Sequence, residues 1–218
     1  MPSILITGAN RGLGKEFVSQ YADAGWRVFA AARSPDEAGP GIPVALDVEN
    51  GASVAQAARA VSDPLDCLIL NAGIYGPKPG GLGDIDYAAW EHVFRVNVLG
   101  AMRVAEAFLP HIERGGRKVI AAISSQMGSI AGTGSAAYAY RSSKAALNMV
   151  MATLAVDLKA KGITVIALHP GWVRTDMGGA SAPLAAERSV KDLRAVIERA
   201  STAVSGRFFN HDGSPLPW

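Results

Sequence analysis

At 218 residues, 49% hydrophobic and 18% charged with 24 glycines, the chain has the length and composition of one compact α/β domain, which excludes a disordered or fibrous protein. A formal net charge of +2 without any Lys/Arg cluster gives no reason to expect a nucleic-acid partner. Cys67 is the only cysteine, so no intrachain disulfide forms, and the four histidines lack metal-ligand spacing, so no metal is expected.

Ser3-Ile4-Leu5-Ile6-Thr7 is a short apolar run suited to a buried strand. Gly8-Ala9-Asn10-Arg11-Gly12-Leu13-Gly14 follows, and Phe17, Val18, Tyr21 and Ala22 then recur at helical period over 12–24. Strand, Gly-rich turn and helix in that order set backbone N–H groups and a helix N-terminus around an anion. The glycines allow the tight turn and the close approach of a diphosphate. Gly8, Asn10, Arg11, Gly12, Leu13 and Gly14 are therefore candidate cofactor contacts, although the spacing is Gly-x-x-x-Gly-x-Gly rather than Gly-x-Gly-x-x-Gly.

A second strand over 27–32 leads into Arg33-Ser34, without the acid that binds the ribose 2′-hydroxyl in many dinucleotide folds. The Arg33 and Arg11 guanidiniums can instead contact a 2′-phosphate, which favours NADP(H). Asp36 and Glu37 follow closely and can reach a ribose hydroxyl, so NAD(H) stays open. A third strand at 44–46 precedes Asp47-Val48 and a helix over 52–61, whose N-terminus an acid favours. The fourth strand, 67–70, holds Cys67 as a buried inert thiol and ends at Asn71-Ala72-Gly73.

A helical pattern over 90–109 contains Asn97, and a strand over 118–123 runs into Ser124-Ser125. The next helix, 139–161, carries Tyr140 and Lys144 one turn apart on one face. A strand over 164–168 leads to Pro170-Gly171-Trp172-Val173, where Pro fixes φ and Gly permits a close turn. The small, aperiodic stretch 176–183 reads as a mobile loop, followed by a helix over 186–202 and a strand over 206–209. Such alternation predicts a single domain over 1–218: a doubly wound, Rossmann-like sheet of about seven mostly parallel strands, with helices on both faces and ligands at the strands' carboxyl ends. The apolar runs are strand-length, and no basic region precedes a long apolar core at the start. Neither a signal peptide nor a membrane span is expected, and cytoplasmic residence is the default.

Tyr140 and Lys144 carry the chemistry. An ammonium beside a phenol favours the phenolate, and bringing a tyrosine from about 10 toward 7 takes roughly 4 kcal/mol. Such a phenol can give or take a proton near neutral pH, as carbonyl reduction and alcohol oxidation both need. Ser125 can donate to the substrate oxygen and fix its position. Tyr138 has Ser142 where a lysine would be needed. A Ser-His-Asp hydrolase is excluded, because no Gly-x-Ser-x-Gly elbow is present and His169 stands before Pro170 at a strand exit.

Thr7-Gly8-Ala9-Asn10-Arg11-Gly12-Leu13-Gly14, Asn71-Ala72-Gly73, Asn97, Ser124-Ser125, Tyr140-x-x-x-Lys144 and Pro170-Gly171, in that order and across nearly the whole chain, resemble the short-chain dehydrogenases/reductases. The stretch from Ile123 to Ile130, that from His169 to Gly179 and the ending Leu216-Pro217-Trp218 look most like the C-factor and sniffer-type carbonyl reductases. The resemblance implies an NADP(H)-dependent oxidoreductase that interconverts a small carbonyl and an alcohol, or alternatively a cofactor-binding signalling protein of C-factor type with weak catalysis. It implies Tyr140 as acid/base, Ser125 rather than Ser124 as the orienting hydroxyl, Lys144 on the nicotinamide ribose and Asn97 at a proton-relay water. It further implies Asp47 and Val48 beside the adenine, with Asn71, Ala72 and Gly73 bracing sheet and cofactor, although Leu70 stands where the family has a second Asn. Pro170, Gly171 and Val173 would meet the nicotinamide carboxamide side, Thr175 the diphosphate, and 176–183 would cover a pocket formed with Gln126, Met127 and Trp172. Self-association as a homodimer or homotetramer would use the helices at 90–109 and 139–161. The aromatic ending places Phe208 and Phe209 on the last strand and Trp218 near the substrate side or a neighbouring subunit.

Overall fold

Seven strands form one sheet in the order β3-β2-β1-β4-β5-β6-β7, seen in a computed structural model that describes residues 1–35, 39–77 and 82–218. The strands are β1 (Ser3–Thr7), β2 (Arg27–Ala32), β3 (Ile42–Ala45), β4 (Cys67–Leu70), β5 (Val119–Ile123), β6 (Thr164–His169) and β7 (Arg207–Asn210). Every pairing is parallel. The helices are α1 (Gly12–Asp23), α2 (Gly51–Ala60), α3 (Tyr87–Phe94), α4 (Ala101–Arg114), α5 (Tyr138–Asp157) and α6 (Ala186–Arg199).

Strand alternation divides the core between two faces. Leu5 and Phe29 join a layer with Val54 of α2, Phe108 of α4 and Leu147 of α5. Ile4, Ile6 and Val28 pack the other way, against Phe17 and Tyr21 of α1 and Leu193 of α6. Both sheet faces are therefore covered, which is why the strands read as continuous apolar runs rather than alternating ones. The expected sheet, its seven strands and the strand positions of Phe208 and Phe209 are all present, with strand ends shifted by a residue or two.

The pattern over 90–109 is not one helix. α3 ends at Phe94, a π-helical turn covers Arg95–Gly100, and α4 continues to Arg114. A wider turn rephases the helix, so that Asn97 is buried near the strand ends while Val104, Phe108 and Ile112 face the core. Gly100 lies flush on Val48, where a Cβ would come within 2.9 Å of that side chain. Among the described residues, no helix is long and apolar enough to cross a membrane.

Candidate active site

The strand order reverses between β1 and β4, and a crevice opens there beyond the carboxyl ends. Its volume is about 780 Å³. Gly8, Asn10, Arg11, Gly12 and Leu13 form one wall. Gly8 adopts φ +65, and a Cβ on it would stand 2.9 Å from the Ala72 Cα, so only glycine fits between the two strand ends. Arg11 caps α1 without a side-chain bond, which leaves first-turn amides open to an anion. Gly14 does not line the crevice; its Cβ would fall 2.0 Å from the Gly8 carbonyl oxygen, so it serves the packing of helix against turn.

Arg33, Asp47 and Val48 line the far end, and Asn71, Ala72 and Gly73 the floor. The Asn71 amide donates to the Thr7 and Gly8 carbonyls at 2.9 and 3.2 Å, tying the end of β4 to the Gly-rich turn. Asp47 accepts the Glu49 amide at 3.0 Å, while Asn50 caps α2. Asp47 thus precedes the helix, whose N-cap is Asn50. Arg33 is exposed and forms no ion pair among the described residues. Arg11 meets Asp176 at 3.6 Å across the mouth. Both side chains are exposed, and such a pair is worth roughly 0–1 kcal/mol, so it does not withhold Arg11 from a phosphate. Asp36 and Glu37 lie outside the described residues.

Ser125, Tyr140 and Lys144 come together in the interior. Ser125 ends the stretch after β5 and accepts the Met127 amide at 3.1 Å, which starts a 3-10 turn over Gln126–Gly128. Gly128 lies flat on α5, its Cβ position 2.7 Å from Lys144 atoms. Asn148 locks the same contact, accepting from Ser124 Oγ at 2.5 Å and donating to the Gly128 carbonyl at 3.4 Å. Ser124 is therefore committed to the fold, and Ser125 is the serine beside the phenol. The connection into α5 passes through Ala136 and Ala137, both left-handed at φ 61 and 53. Left-handed alanines cost roughly 1–2 kcal/mol each, so this corner is held by its surroundings.

The electrostatics differ from the expected pattern. Lys144 Nζ donates to the Ile123 carbonyl at 2.8 Å and lies 5.7 Å from the Tyr140 ring centre, over its face. Burial pushes the Tyr140 phenol up to about 12, and the Ser125 hydroxyl opposes that shift. Burial likewise pushes Lys144 down to about 8. Desolvation outweighs the neighbouring ammonium because Lys144 is aimed at a backbone carbonyl and not at the phenol oxygen. The Lys144 ammonium also faces the crevice floor, 3.6 Å from where a Gly73 Cβ would stand.

Asn97 is buried beside them. Its Oδ1 accepts the Ile74 amide at 2.8 Å, and its Nδ2 donates to the Ile74 carbonyl at 2.9 Å and to Ser143 Oγ at 3.0 Å. Pro170 is tied by Ser189 Oγ, which donates to its carbonyl at 2.6 Å. Gly171 turns at φ +84, and neither it nor Pro170 nor Val173 lines the crevice, whereas Thr175 does. The stretch 176–183 is folded back by Trp172 Nε1 donating to the Gly178 carbonyl at 2.8 Å and by Arg174 donating to the Ala182 carbonyl at 3.0 Å. Tyr138 faces outward and stacks on Trp90 at 6.3 Å.

Sequence reasoning missed Tyr75, which lines the crevice and packs its ring, tilted by 30°, against Tyr140 at 4.6 Å between ring centres. It joins the crevice to the buried trio, and only its nearness to Asn71-Ala72-Gly73 could have flagged it. Met177 and the Glu49–His92 pair, 3.0 Å apart, also line the space. Cys67 is buried and its thiol is pushed up to about 12, as suits an inert residue. His169 is pushed down to about 4 by burial and by His211. No group of three metal-ligating side chains occurs among the described residues.

A dinucleotide-type crevice at a topological switch point, leading to a buried serine, tyrosine and lysine, defines an α/β oxidoreductase. The family model for short chain dehydrogenase matches residues 2–184, and the chain belongs to that family. It is 45% identical over 163 residues to C-signal of Myxococcus xanthus, an alignment covering 74% of this chain and 98% of that protein. It is similar in structure to the carbonyl reductase Sniffer of D. melanogaster, with a TM-score of 0.94, 32% identity and full coverage of both chains. An NADPH-bound carbonyl reductase from chicken fatty liver superposes at a TM-score of 0.92 with 32% identity, over 100% of this chain and 99% of that one.

The Lys144 shift makes a stability prediction. Its folded value of about 8 lies below the ordinary 10.5, so between them the unfolded chain binds the extra proton and stability rises with pH. The buried phenols Tyr21 and Tyr140, both pushed up, oppose this only above about pH 10. Lys144→Met should abolish the rise and stabilise the fold at pH 7 by up to roughly 3 kcal/mol. Urea denaturation of parent and variant between about pH 7 and 9.5 checks this. Parallel curves would assign the pH dependence to another group.

Proposed function

We propose that this chain is an NADP(H)-dependent oxidoreductase that interconverts a ketone or aldehyde and an alcohol, with Tyr140 as general acid/base. The carrying observation is the buried Ser125, Tyr140 and Lys144 set behind the lining residues Tyr75 and Gly73 of a crevice whose residues fit a dinucleotide. Gly8 and Gly73 keep side chains out of its walls, and the amides at the start of α1 suit a diphosphate. Arg33 and Arg11 suit a 2′-phosphate, Asp47 and Val48 the adenine, and Thr175 the diphosphate. The similarity to an NADPH-bound carbonyl reductase supports the same choice.

When bound, the nicotinamide supplies or takes the hydride. The chain's own part is to orient the substrate oxygen and manage its proton. Ser125 donates to that oxygen and fixes it in front of the phenol. Tyr140 stays protonated at neutral pH, which suits proton donation in the reductive direction. Lys144, facing Gly73, is placed to reach the ribose side and to lend its charge as the phenol gives up its proton. Asn97 has both amide hydrogens engaged, so a relay water there would use the remaining lone pair of Oδ1.

The similarity to C-signal favours a second reading, a cofactor-binding signalling protein with weak catalysis. A buried phenol and ammonium have no use in a pure binder and cost stability, which supports chemistry. Tight NADPH binding together with no turnover on a panel of ketones, aldehydes and quinones would decide for signalling.

We also infer self-association through the outer faces of α4 and α5. Met102, Met149 and Val156 are 36%, 68% and 74% exposed there, and Leu99 of the preceding π turn is 49% exposed, an apolar surface that a second copy would cover. Met149→Asp with Val156→Asp should give a monomer in sedimentation velocity. A parent that sediments as a monomer ends this inference.

Tyr140→Phe removes one hydroxyl from a packed ring and should lower turnover about 100-fold or more, leaving NADPH affinity nearly unchanged. Turnover within a few-fold of the parent would remove Tyr140 from the role. Arg33→Ala combined with Arg11→Ala should weaken NADP(H) far more than NAD(H), each lost phosphate contact being worth roughly 1.5–3 kcal/mol. Equal losses measured by fluorescence titration, or a parent that prefers NAD(H), would sink the cofactor assignment.

A further inference from the structure

β7 is the edge strand of the sheet, and the chain after it folds back along the open side. The turn is closed by the Gly213 amide donating to the Asn210 carbonyl at 2.9 Å, with Gly213 at φ +87. The Asn210 amide donates to the Ser214 carbonyl at 2.8 Å, Phe209 bridges Pro215 antiparallel, and the Leu216 amide donates to the Phe208 carbonyl at 2.9 Å. These contacts cover an edge that would otherwise offer unpaired backbone. Residues 214–216 already accomplish that.

Trp218 does something else. Its ring lies nearly parallel to that of buried Phe208, with centres 5.5 Å apart and planes inclined by 14°. Its main-chain oxygen leaves the strand and accepts three donors from another segment: the Ile130 amide at 2.8 Å, the Ala131 amide at 3.2 Å and Ser129 Oγ at 3.1 Å. Ser129 is buried, and its hydroxyl also receives the Gly132 amide at 3.3 Å. This is the turn that continues directly from Ser125. The Gly128 amide donates to the Ser125 carbonyl at 2.8 Å and the Ser129 amide to the Gln126 carbonyl at 3.0 Å, while Gly128 rests on Lys144. Among the described residues, no other hydrogen bond ties 129–131 to a segment outside 125–133.

We propose that Trp218 is a positioning residue for the reaction: seated on Phe208, it anchors the 129–131 turn through its main-chain oxygen and so holds Ser125 at its working distance from Tyr140. The proposal rests on the reading of Ser125 as the hydroxyl that orients the substrate oxygen. Trp218 acts through the turn and not on the cofactor: it does not line the crevice.

Three variants test it: Trp218→Ala, Trp218→Phe and Ser129→Ala. Amide hydrogen exchange, resolved by residue, and steady-state kinetics of NADPH-dependent carbonyl reduction are measured on each. Trp218→Ala should speed exchange at Ile130 and Ala131 by about tenfold or more while leaving β1 and β4 protected. It should lower kcat for the carbonyl about tenfold, with the NADPH Kd within about twofold of the parent. Trp218→Phe keeps a ring on Phe208 and should restore both readouts, and Ser129→Ala should fall between. Unchanged exchange at Ile130 and Ala131 in Trp218→Ala overturns the anchor. Faster exchange there with an unaltered kcat makes the tail a cover and no more, and faster exchange throughout the sheet that phenylalanine does not rescue makes it a general stabiliser; either overturns the proposal. A parent that reduces no carbonyl at all defeats the reductase reading by itself, and the exchange arm then decides whether the anchor stands.

Discussion

The position of α5 depends on one buried contact, the Lys144 ammonium on the carbonyl that ends β5. An ammonium in such a place is expensive, and its drop to about 8 measures the cost. What it secures is register. Lys144 can reach Ile123 only if α5 lies close against the chain leaving β5, and that approach requires Gly128, since a Cβ there would strike the helix at 2.7 Å. Asn148, one turn further along, repeats the tie through Ser124 and the Gly128 carbonyl. Ser125 and Tyr140 then face each other because their two segments cannot slide.

The crevice depends on a different close approach. β1 and β4 are neighbours whose following connections go to opposite faces of the sheet, which opens the space between them. Gly8 and Gly14 fill that junction without side-chain bulk, and the Asn71 amide bonds across it to the Thr7 and Gly8 carbonyls. Tyr75 then carries the wall on from the floor residues, and its ring meets that of Tyr140 behind it.

Strand positions were legible because each strand is a short apolar run ended by glycine or a polar residue, and the parallel sheet with helices on both faces followed from the alternation with helices. The break at Arg95–Gly100 was not legible, since a π turn keeps the helical composition and changes only the hydrogen-bond partner by one residue. Within the site, the motifs named the crevice-lining residues of the Gly-rich turn and of Asn71-Ala72-Gly73, because close backbone approach demands particular residue types. Gly14, by contrast, does not line the crevice and packs on the Gly8 carbonyl, a distinction that spacing alone does not make. Tyr75 carried no motif. Its importance comes from a ring contact with a residue 65 positions away, which is a tertiary fact.

Side-chain direction separates the sequence argument about Tyr140 from the structure. Four-residue spacing on a helix brings a lysine near a tyrosine, and nearness was expected to lower the phenol. The same helix face, however, is the one buried against β5, so both groups lose water together. Desolvation raises an acid and lowers a base, and here it moves Tyr140 up to about 12 and Lys144 down to about 8. The pair therefore rests as neutral phenol and ammonium at neutral pH, with the ammonium satisfied by a backbone carbonyl and by the ring face. Ionising such a phenol requires something that reorients or strengthens the positive charge beside it. A proton donor that is loaded at rest and costly to discharge is suited to giving its proton only when an oxygen with developing negative charge is held against it. In the reaction proposed above, Ser125 is the residue that would hold that oxygen.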